Sequence, residues 1–399
     1  MKLRAESAAM TVLLAVLVSI GPLSTDMYLP SLPWIARDLN ASDADTQLTL
    51  SIFLIGFAGG QIIYGPISDR FGRKPVLLTG LGLFVLATAL CATTQSIEFL
   101  IGARFCQALG ACAAVVIARA IVRDLFAAER AARIMSFMGA LMGAVPAVAP
   151  VLGGGLQAAF GWRSSFIAVV VIGLAIVIAV VVLLPETNRF RGQTPRTFGG
   201  LFASFGILLR HSAYRRYVLS TGFCFGGLFA FISGSSFLFQ GYYGFSALQF
   251  GFVFSFAVLG FIAGTLLGAR VTTRRGIDKT LLLGAWILII GGLGMLALVQ
   301  LDPPRFWHVL APMTVYMAGV GLTLPQAMAG ALTPFPERAG AASSLLGFCQ
   351  MGFAALVGIL VGQTLEHGPL TLGVAIAGLS LLNFIVILTK KKVSGAAIG

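Results

Sequence analysis

The chain has 399 residues, of which 58% are hydrophobic and 10% charged, and it carries a formal net charge of +13. A soluble globular domain of this length does not tolerate that balance, so a polytopic membrane protein is predicted. The excess of positive charge does not point to nucleic acid, because the basic residues recur in short clusters between apolar runs instead of gathering in one domain.

Requiring about 20 apolar residues per span and cutting at charge and turn clusters predicts helices near 10–32, 46–66, 75–94, 98–122, 133–157 and 163–184. The second half yields helices near 214–239, 248–270, 280–300, 306–328, 339–364 and 369–389. Lys2 and Arg4 ahead of the first run imitate a signal peptide, but no small-x-small site follows, so that run reads as an uncleaved first helix. Residues 185–213 are the one long polar connection, with Arg189, Arg191, Arg196 and Arg210 beside Pro195, Gly199 and Gly200. They read as an interdomain linker, part of it an amphipathic helix on the membrane surface. The expected organisation is therefore a six-helix bundle over 1–184, the linker over 185–213 and a second bundle over 214–399.

Basic residues alternate between the two sides as the positive-inside rule requires. Lys2, Arg4, Arg70, Arg73, Lys74, residues 119–133, the linker with Arg215 and Arg216, residues 270–279, Arg338, Lys390, Lys391 and Lys392 fall on one side. Only Arg37, Arg163 and Arg305 fall on the other, where Asp38, Asp43, Asp45, Glu98, Asp302 and Glu366 also lie. Both termini are then expected in the cytoplasm. Cys91, Cys106, Cys112, Cys224 and Cys349 all sit in apolar segments with no CxxC spacing, which suits packing better than disulfides or metal ligation. His211, His308 and His367 are too far apart in the predicted topology for a metal site or a catalytic triad, and nothing reads as enzymatic.

The island of charge between the second and third spans holds Gly65, Asp69, Arg70, Gly72, Arg73 and Lys74. A phosphate-binding glycine loop would need a preceding strand and a following Gly-Lys-Ser/Thr, and neither is present. This order resembles the loop signature of the major facilitator superfamily between its second and third helices. Residues 268–276 repeat the pattern weakly between the eighth and ninth spans, with Thr272 where the first copy has Asp69. The resemblance implies an all-α membrane protein with twelve transmembrane helices in two pseudo-symmetric six-helix bundles around a cavity.

Asp26 is the only acid inside a predicted span, and Arg104 the only basic residue deep in one. A carboxylate in a span is costly to keep ionised and marks a proton or substrate pathway. The alternative is a helix cap before Pro30 with its charge in an outer vestibule. Arg104, Gln107 and Gly110 resemble the superfamily's fourth-helix pattern; the alternative for Arg104 is snorkelling to the surface. Asp26 and Arg104 lie at similar predicted depths and are the expected proton-coupling pair.

At the other end of the fourth span are Arg119, Arg123 and Asp124. The resemblance assigns these, with Gly65, Asp69, Arg70, Gly72 and Arg73, to gating: Asp69 is expected against the start of the eleventh span near 340–344, and Arg73 against Asp124. In the alternative they only fix topology. In the fifth span Gly139, Gly143, Pro146, Pro150, Gly153 and Gly154 should give close packing and a bend. The pattern resembles the antiporter signature of drug:proton exporters, with Ala144 in place of its proline.

The seventh and eighth spans are dense in aromatics. Phe229 and Phe237 with Ser233, Ser236, Gln240, Gln326 and Gln350 suit a greasy pocket with few fixed polar partners, to which Tyr28, Gln61 and Gln107 add from the first half. Packing or lipid contact is the alternative for each aromatic. Together these motifs resemble the Bcr/CflA branch of drug:proton antiporters. That implies a monomeric exporter of small, mostly lipophilic drugs, of the bicyclomycin or chloramphenicol type, in the bacterial inner membrane. Its partners would be drugs, protons and the lipid bilayer, with no cofactor, metal or nucleic acid. A proton-coupled transporter of a sugar or amino acid is the alternative and would want a more polar pocket. A membrane sensor or enzyme is disfavoured because neither a soluble domain nor a catalytic group is evident.

Overall fold

The computed structural model describes residues 7–188 and 198–389. Lys2, Arg4, Arg189, Arg191, Pro195, Arg196, Lys390, Lys391 and Lys392, which enter the predicted topology, lie outside the described residues. Every regular element among the described residues is helical. The first half contains α1 (Ala8–Asp26), α2 (Leu32–Asp38), α3 (Asp43–Phe71), α4 (Arg73–Thr93), α5 (Ile97–Leu125), α6 (Ala128–Phe160) and α7 (Arg163–Leu183). Then come α8 (Phe198–Arg210), α9 (Ser212–Ser236), α10 (Ala247–Leu298), α11 (Trp307–Leu332), α12 (Ala339–Gly362) and α13 (Pro369–Leu388).

Among the described residues, eleven helical segments are long and apolar enough to cross a membrane. One of them, α10, has 52 residues. At about 1.5 Å per residue that is more than twice a hydrocarbon core of about 30 Å. It is two spans joined at Gly276, whose φ of 78° and ψ of 171° leave the helix. Gly72, with φ 101°, makes the same corner between α3 and α4, so the weak sequence repeat is a repeated backbone turn that only glycine adopts readily. The result is an all-α membrane protein of twelve spans in two six-helix bundles.

The first span is not the single helix expected over 10–32. It stops at Asp26, passes through one 3-10 turn at Leu29–Ser31 and resumes as α2 to Asp38. Pro30 and Pro33 explain the break, since neither has an amide hydrogen and each ring pushes away the carbonyl four residues before it. Two long helix-on-helix seams join the bundles: α3 lies along α12, and α6 along the first arm of α10. The latter seam is held by glycines, because a Cβ on Gly154 or Gly251 would press on the backbone of Ala247 or Pro150. Ser255 Oγ adds a hydrogen bond to the Ala147 carbonyl, 2.6 Å. The linker helix is α8. Leu208 is fully buried against Tyr214, Ala342 and Leu345, while Phe202, Ile207 and Leu209 remain exposed.

Candidate functional site

Arg104 sits on α5 with no exposed surface. Its Nη1 donates to Gln107 Oε1 at 2.5 Å and to the Ser24 carbonyl at 3.2 Å, and Gln107 Nε2 in turn donates to Thr88 Oγ1 at 2.9 Å. The guanidinium lies between two rings, 4.4 Å from the centroid of Phe53 and 4.8 Å from that of Tyr28. Stacking of this kind compensates part of the cost of burying the cation. Tyr28 is held by Thr49 through its hydroxyl and by Phe166 at 5.3 Å between ring centroids. Nε and Nη2 of Arg104 have no hydrogen-bond partner.

Asp26 ends α1 only two residues beyond Ser24 and is 4% exposed. Asp26 and Arg104, expected as neighbours across the cavity or linked through water, share no direct hydrogen bond or ion pair in this structure. The reason is local. The guanidinium spends its charge on a carbonyl, an amide and two ring faces, and the helix breaks at Asp26 itself.

The residues expected to line one pocket separate into groups. Tyr28 and Gln107 surround Arg104. Ser236 and Gln240 close the seam between α9 and the broken first span: Ser236 Oγ donates to the Leu29 carbonyl at 2.6 Å, and Gln240 Nε2 to the Pro30 carbonyl at 3.0 Å. The Leu29 carbonyl is the one that Pro33, four residues on, has no N–H to satisfy. Gln240 belongs to a π-helical turn at Phe237–Tyr242, an element common at functional sites. Phe237 borders a cavity of about 540 Å³ at this end, with Arg37, Asn40 and Asp43. Gln61 fills the space beside Gly347 of α12, Phe229 packs against Gly358, and Ser233 and Gln350 are buried. Gln326 is half-buried on α11. A second cavity, of about 570 Å³, opens at the opposite end between Thr11 and Phe137, beside Arg130 and Arg133.

In α6, Gly153 faces the backbone of Met27 at the break in the first span, Gly154 faces α10, and Gly143 faces Phe261. Gly139 faces open space. Pro146 and Pro150 lie inside a continuous helix. The later part of the glycine and proline pattern therefore packs α6 against the break in the first span and against α10, while Gly139 at its start packs against neither.

At the α3–α4 corner Arg73 does meet Asp124, Nε to Oδ2 at 2.9 Å, and it also meets Asp69, Nη1 to Oδ1 at 2.6 Å. Nη1 donates to Ser68 Oγ as well, 2.7 Å. Asp69, expected at the start of the eleventh span, pairs through its carboxylate with Arg73, four residues on across the Gly72 corner, and no side-chain hydrogen bond caps the start of α12. Arg70 lies over the ring of Phe71, and Gly65 has open space around it. Arg119 is half-buried and Arg123 exposed on α5. Sequence reasoning missed Glu186, whose carboxylate accepts the backbone amides of Arg73 and Lys74 at 2.9 and 3.1 Å. The one signal for it was Gly72, which leaves α4 without a cap of its own. At the other end of the bundle Asp38 accepts from Arg163 and from Trp162 Nε1, at 2.8 and 2.9 Å.

Residues 14–359 match the family model described as Major Facilitator Superfamily. The chain is 36% identical over 362 residues to the "Uncharacterized MFS-type transporter YdgK" of Bacillus subtilis (strain 168), covering 90% of this chain and 89% of that one. It is 32% identical over 350 residues to the "Bicyclomycin resistance protein homolog" of Haemophilus influenzae, covering 88% of each. It is 30% identical over 382 residues to "Multidrug resistance protein D" of Escherichia coli (strain K12), covering 95% of each. Among solved structures, the nucleoside transporter NupG superposes with a TM-score of 0.74 at 14% identity, covering 96% of this chain and 99% of that one. The xylose transporter XylE of E. coli, partially occluded and inward open, superposes with 0.72 at 13% identity, covering 95% and 96%. At these identities the two solved structures bear on the fold alone.

Proposed function

This chain belongs to the Major Facilitator Superfamily, and on that premise we propose that it is a drug:proton antiporter of the Bcr/CflA type. It exports small, mostly lipophilic drugs from the bacterial cytoplasm across the inner membrane. Relatives named for bicyclomycin and multidrug resistance, alignable over nearly the whole chain, support the drug class. The observation that carries the coupling is Asp26, a buried carboxyl at the break of the first span, close in sequence to the carbonyl that holds Arg104. Two guanidinium donors of Arg104 stay open.

Asp26 takes the proton. With the carboxyl neutral, Arg104 keeps its present partners; once the proton leaves, the carboxylate competes for the open Nε and Nη2 donors. That rearrangement moves the backbone between Ser24 and Leu29, and the Leu29 and Pro30 carbonyls are the ones Ser236 and Gln240 hold. Proton and drug thus favour different arrangements of the two bundles, as exchange across a membrane requires. The bundles comprise 1–184 and 214–399, with 185–213 between them, and work as a monomer. The Asp69–Arg73–Asp124 group, with Arg119 and Arg123 nearby on α5, is the lock on the cytoplasmic face, where both termini lie. Gln61, Phe229, Ser233, Gln326 and Gln350 meet the drug once the seams part.

The test is a drug-susceptibility panel in an efflux-deficient bacterium, with and without a protonophore. Resistance to neutral lipophilic drugs that the protonophore removes is the expected result. Resistance untouched by the protonophore contradicts proton coupling, and transport restricted to a small sugar or amino acid contradicts the drug reading.

A further inference from the structure

Three consecutive residues at the start of the linker, Glu186, Thr187 and Asn188, grip the α3–α4 corner from outside both helices. Gly72 precedes α4 directly and has no side chain with which to cap the first amides. Its φ of 101° and ψ of 156° bar the usual capping residues from that position. Glu186 supplies the missing acceptors: Oε1 takes the Arg73 N–H at 2.9 Å and Oε2 the Lys74 N–H at 3.1 Å. The same Oε1 takes the amides of Thr187 and Asn188, each at 2.9 Å, which closes the loop on itself. The fit is close, since a Cβ at Gly72 would lie 2.7 Å from Glu186 Oε2.

On the other side of the corner Asn188 Nδ2 donates to the carbonyls of Asp69 and Ser68, at 2.9 and 3.4 Å, in the last turn of α3. Thr187 Oγ1 reaches Asp124 Oδ2 at 3.5 Å. An acid at the start of one helix and a donor at the end of the other are each on the side that the helix dipoles favour. Arg73 is thereby held twice, its backbone by Glu186 and its guanidinium by Asp69, Asp124 and Ser68. As the first residue of α4, its backbone would fray without a cap.

We propose that Glu186 is a positioning residue for the charged corner. By capping α4 it fixes the origin of the Arg73 side chain so that one guanidinium spans Asp69 and Asp124, and it ties that group to the segment joining the two bundles. Tension on the linker as the bundles rock draws Glu186 off α4, frays its first turn and loosens Arg73 from Asp124. This rests on the reading of the corner as the cytoplasmic lock.

Two measurements on the full-length protein in detergent test the idea and separate it from that reading. The first is amide hydrogen exchange at Arg73 and Lys74, which Glu186→Ala should accelerate about tenfold, as expected for loss of hydrogen bonds to a charged acceptor. Glu186→Gln keeps one acceptor oxygen and should lie between; it also serves if Glu186→Ala does not fold. The second is the distance distribution between spin labels at Thr93 and Gln300, on exposed ends of the two bundles, in a background without the native cysteines. Glu186→Ala and Asp124→Asn should each shift it, and the double variant should shift it no further than the larger single change. Unchanged exchange in both Glu186 variants overturns the inference and leaves the lock standing. Accelerated exchange with additive shifts also overturns it, because Glu186 would then stabilise the fold without acting through Arg73. If neither Arg73→Ala nor Asp124→Asn shifts the distances, the lock reading fails and takes the inference with it.

Discussion

Arg73 Nε and Asp124 Oδ2 lie 2.9 Å apart, joining the first residue of α4 to the last turn of α5. Only 10% of the arginine side chain and 23% of the aspartate are exposed, so solvent screens the pair less than a surface ion pair. With Asp69 on Nη1, one guanidinium serves two carboxylates through separate nitrogens, which a lysine does not reproduce. Arg73→Ala leaves two acids facing each other and should cost about 3 kcal/mol of stability. Asp124→Asn keeps an acceptor and should cost about 1 kcal/mol. Thermal unfolding in detergent checks the order, and an Arg73→Lys variant as stable as wild type would contradict the two-nitrogen account.

The glycines of α6 should not be equivalent, although all of them belong to one pattern in the sequence. A Cβ on Gly153 would run into the backbone of Met27, whereas one on Gly139 meets nothing within 4 Å. Gly153→Ala should therefore push α6 from the break in the first span, at a cost of about 1–3 kcal/mol, and abolish resistance. Gly139→Ala should leave both expression and resistance intact. Drug-susceptibility assays with expression controls measure this, and equal loss in both variants would contradict the close packing of Gly153 on Met27 as the cause.

Ser236 and Gln240 predict a bias between states rather than a loss of fold. Each donates to a carbonyl of the broken first span, Leu29 or Pro30. Such a bond contributes about 0.5–1.5 kcal/mol. Removing both in a Ser236→Ala, Gln240→Ala variant should open that seam by up to about a hundredfold in equilibrium constant. Alkylation of a cysteine introduced at Gly241, which has open space around it, should speed up accordingly. An unchanged alkylation rate would mean that the seam is held by packing alone.

Much of this was legible in the chain because membrane spans are a one-dimensional signal. Apolar length and basic clusters place the helices, and the pair of glycine corners at Gly72 and Gly276 was visible as a degraded repeat. The break at Pro30 and Pro33 was present in the residues, yet a hydropathy window averages over it and merges α1 with α2. What stayed hidden is non-local. Glu186 lies 113 residues from the amide it caps, and nothing in its own neighbourhood marks it apart from any acid in a polar linker. Arg104 was legible as a buried cation, but its ring partners Phe53 and Tyr28 come from elsewhere in the chain, so its aromatic shell was not.

Asp26 and Arg104 should divide the work of coupling between them. Arg104 has a filled side, with Gln107 and the Ser24 carbonyl on Nη1, and an open side, with Nε and Nη2 unpartnered. Asp26 ends the helix that carries Ser24, so on this account a change in the break at Met27 and Tyr28 carries the carboxylate toward the open donors. Asp26→Asn removes the carboxyl but keeps size and polarity. It should retain drug binding while ending drug-induced proton release and protonophore-sensitive resistance. Arg104→Lys keeps the charge but has no planar fork to hold Gln107 and Ser24 on one side and a carboxylate on the other. It should also uncouple, with drug affinity lowered no more than severalfold. Drug-induced proton release from detergent-solubilised wild type and both variants, followed as a function of pH, measures the coupling directly. If Asp26→Asn still releases protons as wild type does, the proton is carried elsewhere. If Arg104→Lys exchanges drug for protons normally, the open side of the guanidinium has no part in the exchange.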